Sequence, residues 1–518
     1  MELMDGMGSR RGALKQLKTQ REEEGMANAV LTEDEEPLSP ATRLFLQPRL
    51  SCHIVAVIGS GKRVDVDVFK KGLEDTLLRH PRFTSIQARP RPHSYTSNTN
   101  PVLDERKGSS EHKWVRTNVV LENHLVIPDL DPEMESPDKF VEDYTSDLTK
   151  TTLDMSKPLW ELHILNVPTA EAEATAIFRI HHSLGDGISL ISLLLACTRK
   201  TAEPNSLPSM PERRKAVSRR GGFVLRFLMS LWWFLRLVWR SVVDIWLFLA
   251  TGACYKDSET PIKGTEGVGS RSKRIVHCTL SLDDVKMVKT AMDSTINDVF
   301  LGATSAGLSR YLNRRQKHGQ DKGVDIEKQS LPSNIRLRAA VFVNMRPTPG
   351  IHALHDMMEK NKMDIKWGNR FGYVLLPFFV GQRDDPLDYV RKAKAIADQK
   401  KLSLEAFFTY SFATVIIKAM GIKAAADLAY KVLSNTTMSF SNIVGPTEEV
   451  SFCGHPMVYL APSVYGHPHA LTVHFVSYQN KVKMVLAVDE NVVPDPHQLC
   501  ADLADSLMLI KDAVIARQ

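Results

Sequence analysis

Residues 222–250, GFVLRFLMSLWWFLRLVWRSVVDIWLFLA, constrain this chain more than any other stretch. About 20 apolar residues suffice to cross a bilayer's hydrocarbon, so the length permits a span. The polar residues argue against one. Arg226, Arg236, Arg240 and Asp244, with Ser230 and Ser241, fall within an arc of about 140° on a helical projection, and Leu, Phe and Trp fill the rest. A charge at a bilayer centre costs roughly 2.5–3.5 kcal/mol on insertion scales. The segment therefore reads as an amphipathic helix lying at a membrane interface, its Trp232, Trp233, Trp239 and Trp246 at headgroup level. A basic stretch before it, Arg213-Arg214-Lys215 and Arg219-Arg220, favours anionic lipid. A spanning helix and a helix docked on the protein itself are the alternatives.

Mixed α/β texture lies on both sides of this segment, and 518 residues exceed one ordinary core. Four divisions are expected: a disordered arm at 1–36, a first domain at 37–198, a crossover at 199–273 that carries the helix, and a second domain at 274–518. In the first domain, strands are expected at 51–58, 114–121, 160–167 and 174–182. Helices are expected at 66–80, 137–150 and 188–197. In the second, 282–313 and 402–434 read as helical and 338–345, 456–464, 471–478 and 481–488 as strands, before a final helix at 496–516.

Composition removes some function classes. A net charge of +6 without a dense Lys/Arg stripe gives no reason to expect nucleic acid. Cys52, Cys197, Cys254, Cys278, Cys453 and Cys500 show no zinc or redox spacing, so no metal is expected and the compartment reads as reducing. The polar start, with Arg21-Glu22-Glu23-Glu24, has no apolar signal segment.

The chemistry concentrates at His181-His182-Ser183-Leu184-Gly185-Asp186-Gly187, where the strand 174–182 turns into the apolar helix 188–197. Consecutive strand residues point to opposite faces, so one histidine meets the reaction and the other serves the structure. A histidine of near-neutral pKa can take a proton from an alcohol. Asp186 fixes the imidazole or shapes the turn, and the glycines at 185 and 187 let the backbone bend.

With its flanking elements the chain resembles the plant-type members of the wax ester synthase/diacylglycerol acyltransferase family. Those elements are Pro37-Leu38-Ser39-Pro40, His80-Pro81-Arg82-Phe83, Pro158-Leu159-Trp160, Asn297-Asp298-Val299, Asn344-Met345-Arg346, Gly368-Asn369, Ser441-Asn442-Ile443-Val444-Gly445-Pro446 and Ser477-Tyr478. The resemblance covers about residues 37–516. It implies an α/β fold of two chloramphenicol-acetyltransferase-like domains with a reaction channel between them. It also implies acyl-CoA as co-substrate with no bound cofactor, and His182 as general base. Asn297 is then the candidate oxyanion or substrate-orienting donor. Asp186 is counted with the catalytic group, paired structurally with Arg346. His181, Gly187, Ser441 and Asn442 are candidates for the substrate-binding wall, and Gly185 is structural.

The expected reaction is transfer of a long-chain acyl group from acyl-CoA to a fatty alcohol, giving a wax ester, or to diacylglycerol, giving triacylglycerol. Membrane lipid is an expected partner, at the cytosolic face of the endoplasmic reticulum or at the cell membrane. BAHD-like acylation of a soluble metabolite is the rival within enzymes. The Asp-Phe-Gly-Trp-Gly segment that such enzymes carry is absent. A catalytically inactive lipid-binding protein is the rival outside them.

Overall fold

The computed structural model describes residues 35–88, 113–210, 223–319, 335–345, 350–360 and 367–517. Its strands, numbered along the chain, build three sheets. A seven-stranded sheet has the order β5 (Leu125–Val126), β6 (Trp160–Leu165), β7 (Ala174–His181), β2 (His53–Ser60), β14 (His455–Tyr465), β13 (Val450–Phe452), β8 (Arg199–Lys200). A six-stranded sheet has the order β11 (Phe371–Phe378), β10 (Leu337–Asn344), β12 (Met438–Val444), β15 (Leu471–Tyr478), β16 (Lys481–Val488), β9 (Arg274–Ser281). A small third sheet joins β1 (Glu35–Pro37), β4 (Lys113–Arg116) and β3 (Ser85–Ala88). The helices are α1 (Pro40–Phe45), α2 (Val66–Asp75), α3 (Pro137–Leu148), α4 (Gly187–Cys197), α5 (Phe223–Ala253), α6 (Leu282–Ala291), α7 (Ile296–Gly319), α8 (Ile351–Lys360), α9 (Leu387–Lys401), α10 (Glu405–Ser434) and α11 (Pro496–Ile515).

The two halves of the sequence are not two separate sheets. β14, which sequence alone puts in the second domain, pairs with β2 along its length, from Tyr465↔His53 to Met457↔Ser60. A strand's period-2 pattern shows that it has a buried face, not which sheet it joins. Other differences are local. The helix expected over 66–80 stops at Asp75 and continues as a 3-10 turn at Leu77–Arg79. The strand expected at 114–121 ends at Arg116. The expected arm at 1–36 lies outside the described residues except for its end, where Glu36 pairs with the buried Arg82 at 2.5 Å and Arg82 lies over the Trp114 ring.

The central strands β2 and β7 sort their side chains by parity. Odd-numbered Val55, Val57 and Ile177 pack with Tyr459, Tyr465 and with Val485 of the six-stranded sheet. Even-numbered Ile54, Ala56, Ile58, Ala176, Phe178 and Ile180 face the other way, toward α2 and α4. One face thus joins the halves and the other is free to line a cavity.

The helix α5 is amphipathic, and the part of its polar face at Ser241 and Asp244 meets the protein: Asp244 takes an ion pair from Lys400 at 2.8 Å, and Ser241 Oγ accepts from Leu404 N at 2.9 Å. Phe248 sits among Tyr373, Phe408 and Phe412. Val238, Trp239, Val242, Trp246 and Leu249 form the outward stripe, and residues 227–235 are exposed on every side. A buried knot holds the far end of α5, where Arg338 binds Asp257 at 2.6 Å and Thr251 Oγ1 at 2.6 Å. Among the described residues no helix is long and apolar enough to cross a membrane.

Candidate active site

β7 delivers the motif. His181 N donates to Leu159 O and His182 N to Cys52 O, both at 2.9 Å, so the chain stays in the sheet up to the second histidine. The turn ends at Asp186, whose Oδ1 accepts from Ser189 N at 2.9 Å and Ser189 Oγ at 2.7 Å, capping α4. This gives Asp186 a structural role as a helix cap, which the sequence reading, counting it with the catalytic group, did not assign. Arg346, its expected partner, lies outside the described residues.

The two histidines point apart, as strand geometry requires. His181 is buried away from the cavity and is not part of a substrate wall. Its Nδ1 accepts from Ser183 N at 3.2 Å, which leaves the ring proton on Nε2, 3.3 Å from Ser51 Oγ. Its ring meets His53 edge-on. Burial holds the pKa of His181 well below the ordinary histidine value, so it is a neutral structural group. His182 lines the cavity instead, its ring tilted against Phe45 with centroids 4.3 Å apart and flanked by Phe371. Desolvation lowers its pKa, while hydrogen bonding to its own backbone, the Asp186 charge and Asn369 act in the raising direction. The result is a neutral imidazole, able to accept a proton at physiological pH.

Two groups of elements line the cavity, of about 350 Å³, which we treat as two arms, and His182 is part of the lining. One follows the even face of β2 and β7 under α2 and α4, past Ile54, Ala56, Phe178 and Ala176 to Ser60 and Val64. The other passes between α1, β10, β11 and α10, along Leu44, Phe342, Tyr373, Tyr410, Ala413 and Leu433. The lining is mostly apolar, and its polar groups include Asn344, Ser441, Asn442 and His474. A mostly apolar cavity suits a substrate with long hydrocarbon chains. Among the described residues no cluster could hold a metal ion.

The other expected residues divide. Gly187, Ser441 and Asn442 line the cavity. Asn297 does not: it is exposed at the start of α7, and Asn442 Nδ2 donates to its Oδ1, so it braces a wall residue from outside. Asn-Asp at a helix start carried no information about which strand would pack beside it. Neither Gly185 nor Gly187 has a positive φ, so the turn does not need glycine for its bend. Glycine at 185 gives room instead, since a Cβ there would stand 3.2 Å from Trp367 Cζ2.

Sequence reasoning gave no role to the segment Trp367-Gly368-Asn369, which clasps the motif from the second half of the chain. Trp367 Nε1 donates to Leu184 O at 2.7 Å, and Asn369 Nδ2 donates to His182 O at 2.7 Å. Gly368 between them has φ +109°, a conformation that favours glycine and sends both side chains to the same turn. Asn369 is polar and nearly fully buried, but only the folded chain shows that it lies against the motif.

Comparison with known proteins agrees with this architecture. Residues 134–300 match the model of the wax ester synthase/diacylglycerol acyltransferase catalytic domain, and residues 367–511 match that of the WS/DGAT C-terminal domain. Wax ester synthase/diacylglycerol acyltransferase 11 of Arabidopsis thaliana is 49% identical over 491 residues, covering 94% of this chain and 96% of that protein. The number 4 member from the same plant is 47% identical over 498 residues, covering 94% and 92%. Among solved structures, the wax ester synthase/diacylglycerol acyltransferase from Marinobacter aquaeolei VT8 superposes with a TM-score of 0.54 at 16% identity, covering 92% of this chain and all of that one. The first condensation domain of the CDA synthetase gives 0.53 at 12% identity, covering 91% and 96%.

Proposed function

This chain belongs to the wax ester synthase/diacylglycerol acyltransferase family, and on that premise we propose that His182 is the base of its acyl transfer from acyl-CoA to a long-chain alcohol or to diacylglycerol. The observation that carries this reading is a neutral imidazole in the lining of a mostly apolar cavity. His182 takes the hydroxyl proton, the oxygen attacks the thioester carbonyl, and the C–S bond breaks. The CoA thiolate then leaves with the proton. Two arms suit two hydrocarbon chains whose reacting ends must meet at one nitrogen. Asn344, Ser441 and Asn442 of the lining are donors available to the tetrahedral oxyanion.

The test is CoA release by membranes containing the protein, given palmitoyl-CoA with hexadecanol or with diacylglycerol. Release that depends on the acceptor is expected, and the ratio of the two rates ranks the acceptors. Release equal with and without either acceptor would remove the transferase reading in favour of a lipid binder or a thioesterase.

The outward stripe of α5 favours membrane lipid as a partner. A contiguous apolar surface of this size is uncommon on a soluble monomer. With Ser241 and Asp244 turned inward, α5 lies against the bilayer rather than through it. We assign the protein to the cytosolic face of the endoplasmic reticulum, or to the cell membrane, because its apolar acceptors reside in bilayers and its cysteines are free. Trp239 and Trp246, both about two-thirds exposed, make no core contact. Their joint replacement by glutamate is expected to lower binding to anionic vesicles at least about tenfold while leaving the melting temperature in place. Unchanged co-sedimentation with vesicles would rule this surface out.

A further inference from the structure

Two buried polar atoms beside the motif lack hydrogen-bond partners, His182 Nδ1 and Asn369 Oδ1. The two do not bond each other in this structure, but the Asn369 side chain is held at the motif's backbone, its Nδ2 donating to the carbonyl His182 O at 2.7 Å and to Ser183 O at 3.3 Å. Thr42 Oγ1 is a third acceptor for the same amide nitrogen, at 3.4 Å. Three acceptors on the nitrogen side fix the amide's orientation and leave its oxygen unused. The unused oxygen is an acceptor, and the unused ring nitrogen can carry a proton. Each is the partner the other lacks.

We propose that Asn369 is the positioning residue of the catalytic base, its Oδ1 accepting the Nδ1–H of His182 so that the Nε2 lone pair faces the substrate hydroxyl. The inference rests on His182 being the base. Asn369 takes no proton at any step. The hydroxyl proton moves to Nε2, the new C–O bond forms, the C–S bond breaks, and the proton passes from Nε2 to the thiolate. The contribution of Asn369 is the tautomer, the ring orientation and stabilisation of the transient imidazolium. Hydrogen bonds of this kind are often open in the free enzyme and close as the substrate is bound. Asp186 is already occupied as the cap of α4 through Ser189 and acts on the ring by its charge.

Other titratable groups act on the ring electrostatically. His53 on β2, His181 on the strand end, His467 in the loop after β14 and His474 on β15 all interact with His182, as does Asp186. Burial lowers the pKa of all four histidines, to about 4 for His53 and His474, so they are neutral near pH 7.

The test compares Asn369→Ala with Asn369→Asp, using His182→Ala as the control. Aspartate keeps the acceptor oxygens but loses the amide's donations to His182 O and Ser183 O; alanine loses both. Asn369→Ala is expected to lower kcat at least tenfold with KM changed less than about threefold, and to move the acid limb of the kcat profile to lower pH. Asn369→Asp is expected to recover part of kcat and to move that limb to higher pH, because a carboxylate beside the ring stabilises the imidazolium. Equal losses in the two variants with an unmoved acid limb would show that Asn369 only clasps the backbone, and would overturn the proposal. If alanine at 369 prevents folding, the direction of the limb in the aspartate variant decides alone. Full activity in His182→Ala would instead overturn the base assignment, a different failure.

Discussion

His182→Ala is expected to lower alcohol-dependent CoA release by about 10²–10⁴-fold while changing the KM for acyl-CoA little, because general-base catalysis contributes on that scale and the apolar arms remain intact. The neighbouring substitution separates chemistry from structure. His181→Ala leaves Ser51 Oγ and Ser183 N short of a partner in a buried site, which costs about 1–3 kcal/mol of stability. Its expected signature is a lower melting temperature with kcat per folded molecule kept within a few-fold. The pH dependence follows from the burial of His182. Its pKa is lowered, so the neutral base is populated above that value and activity falls as pH drops through it. The acid limb should therefore lie below the ordinary histidine value of about 6.5, and a limb well above it would count against His182. Wild-type rates in His182→Ala with an unchanged pH profile would end the assignment.

The sequence made this centre legible because its signals are local. A run of alternating apolar residues ending in two histidines places them on opposite faces, and an Asp before an apolar helix is a cap. The first rule puts one histidine of the pair on each face, although His181 was counted with the substrate wall; the second rule explains Asp186, which had been counted with the catalytic group and paired with Arg346. What was not legible depends on partners distant in sequence. β14 reads as a strand but gives no hint that it closes the first sheet beside β2. Asn297 and Asn442 lie 145 residues apart, and their hydrogen bond puts one outside the wall and the other on it. The inward polar face of α5 depends on Lys400 and Leu404, which periodicity cannot supply. A helical projection finds two faces; it does not say which one meets water, protein or lipid.

The arm along the seven-stranded sheet is expected to set how long a chain the enzyme accepts. From Cys52, beside His182, to Ser60 at the far end the strand advances eight residues, roughly 26 Å at about 3.3 Å each. An extended polymethylene chain gains about 1.25 Å per carbon from its bond lengths and angles, so the arm is long enough for about twenty carbons and accommodates a chain of sixteen to eighteen. Ala56, opposite Phe178, stands at its middle, and Ala176, opposite Ile58, about three-quarters of the way along. Phenylalanine at 56 would fill the arm beyond about its midpoint. Each methylene kept in water forfeits about 0.8 kcal/mol, so excluding six of them is worth up to about 5 kcal/mol, of order a thousandfold in kcat/KM. Ala56→Phe is therefore expected to reverse the ranking of sixteen-carbon against eight-carbon substrates for whichever chain occupies this arm. It should leave the chain-length profile of the other substrate unchanged, because that chain runs between α1 and α10. Measuring acyl-CoA and alcohol length profiles in the same variant identifies the occupant. If neither profile shifts in a variant that keeps its fold and activity, no chain lies along β2 and β7, and both hydrocarbon tails must share the second arm.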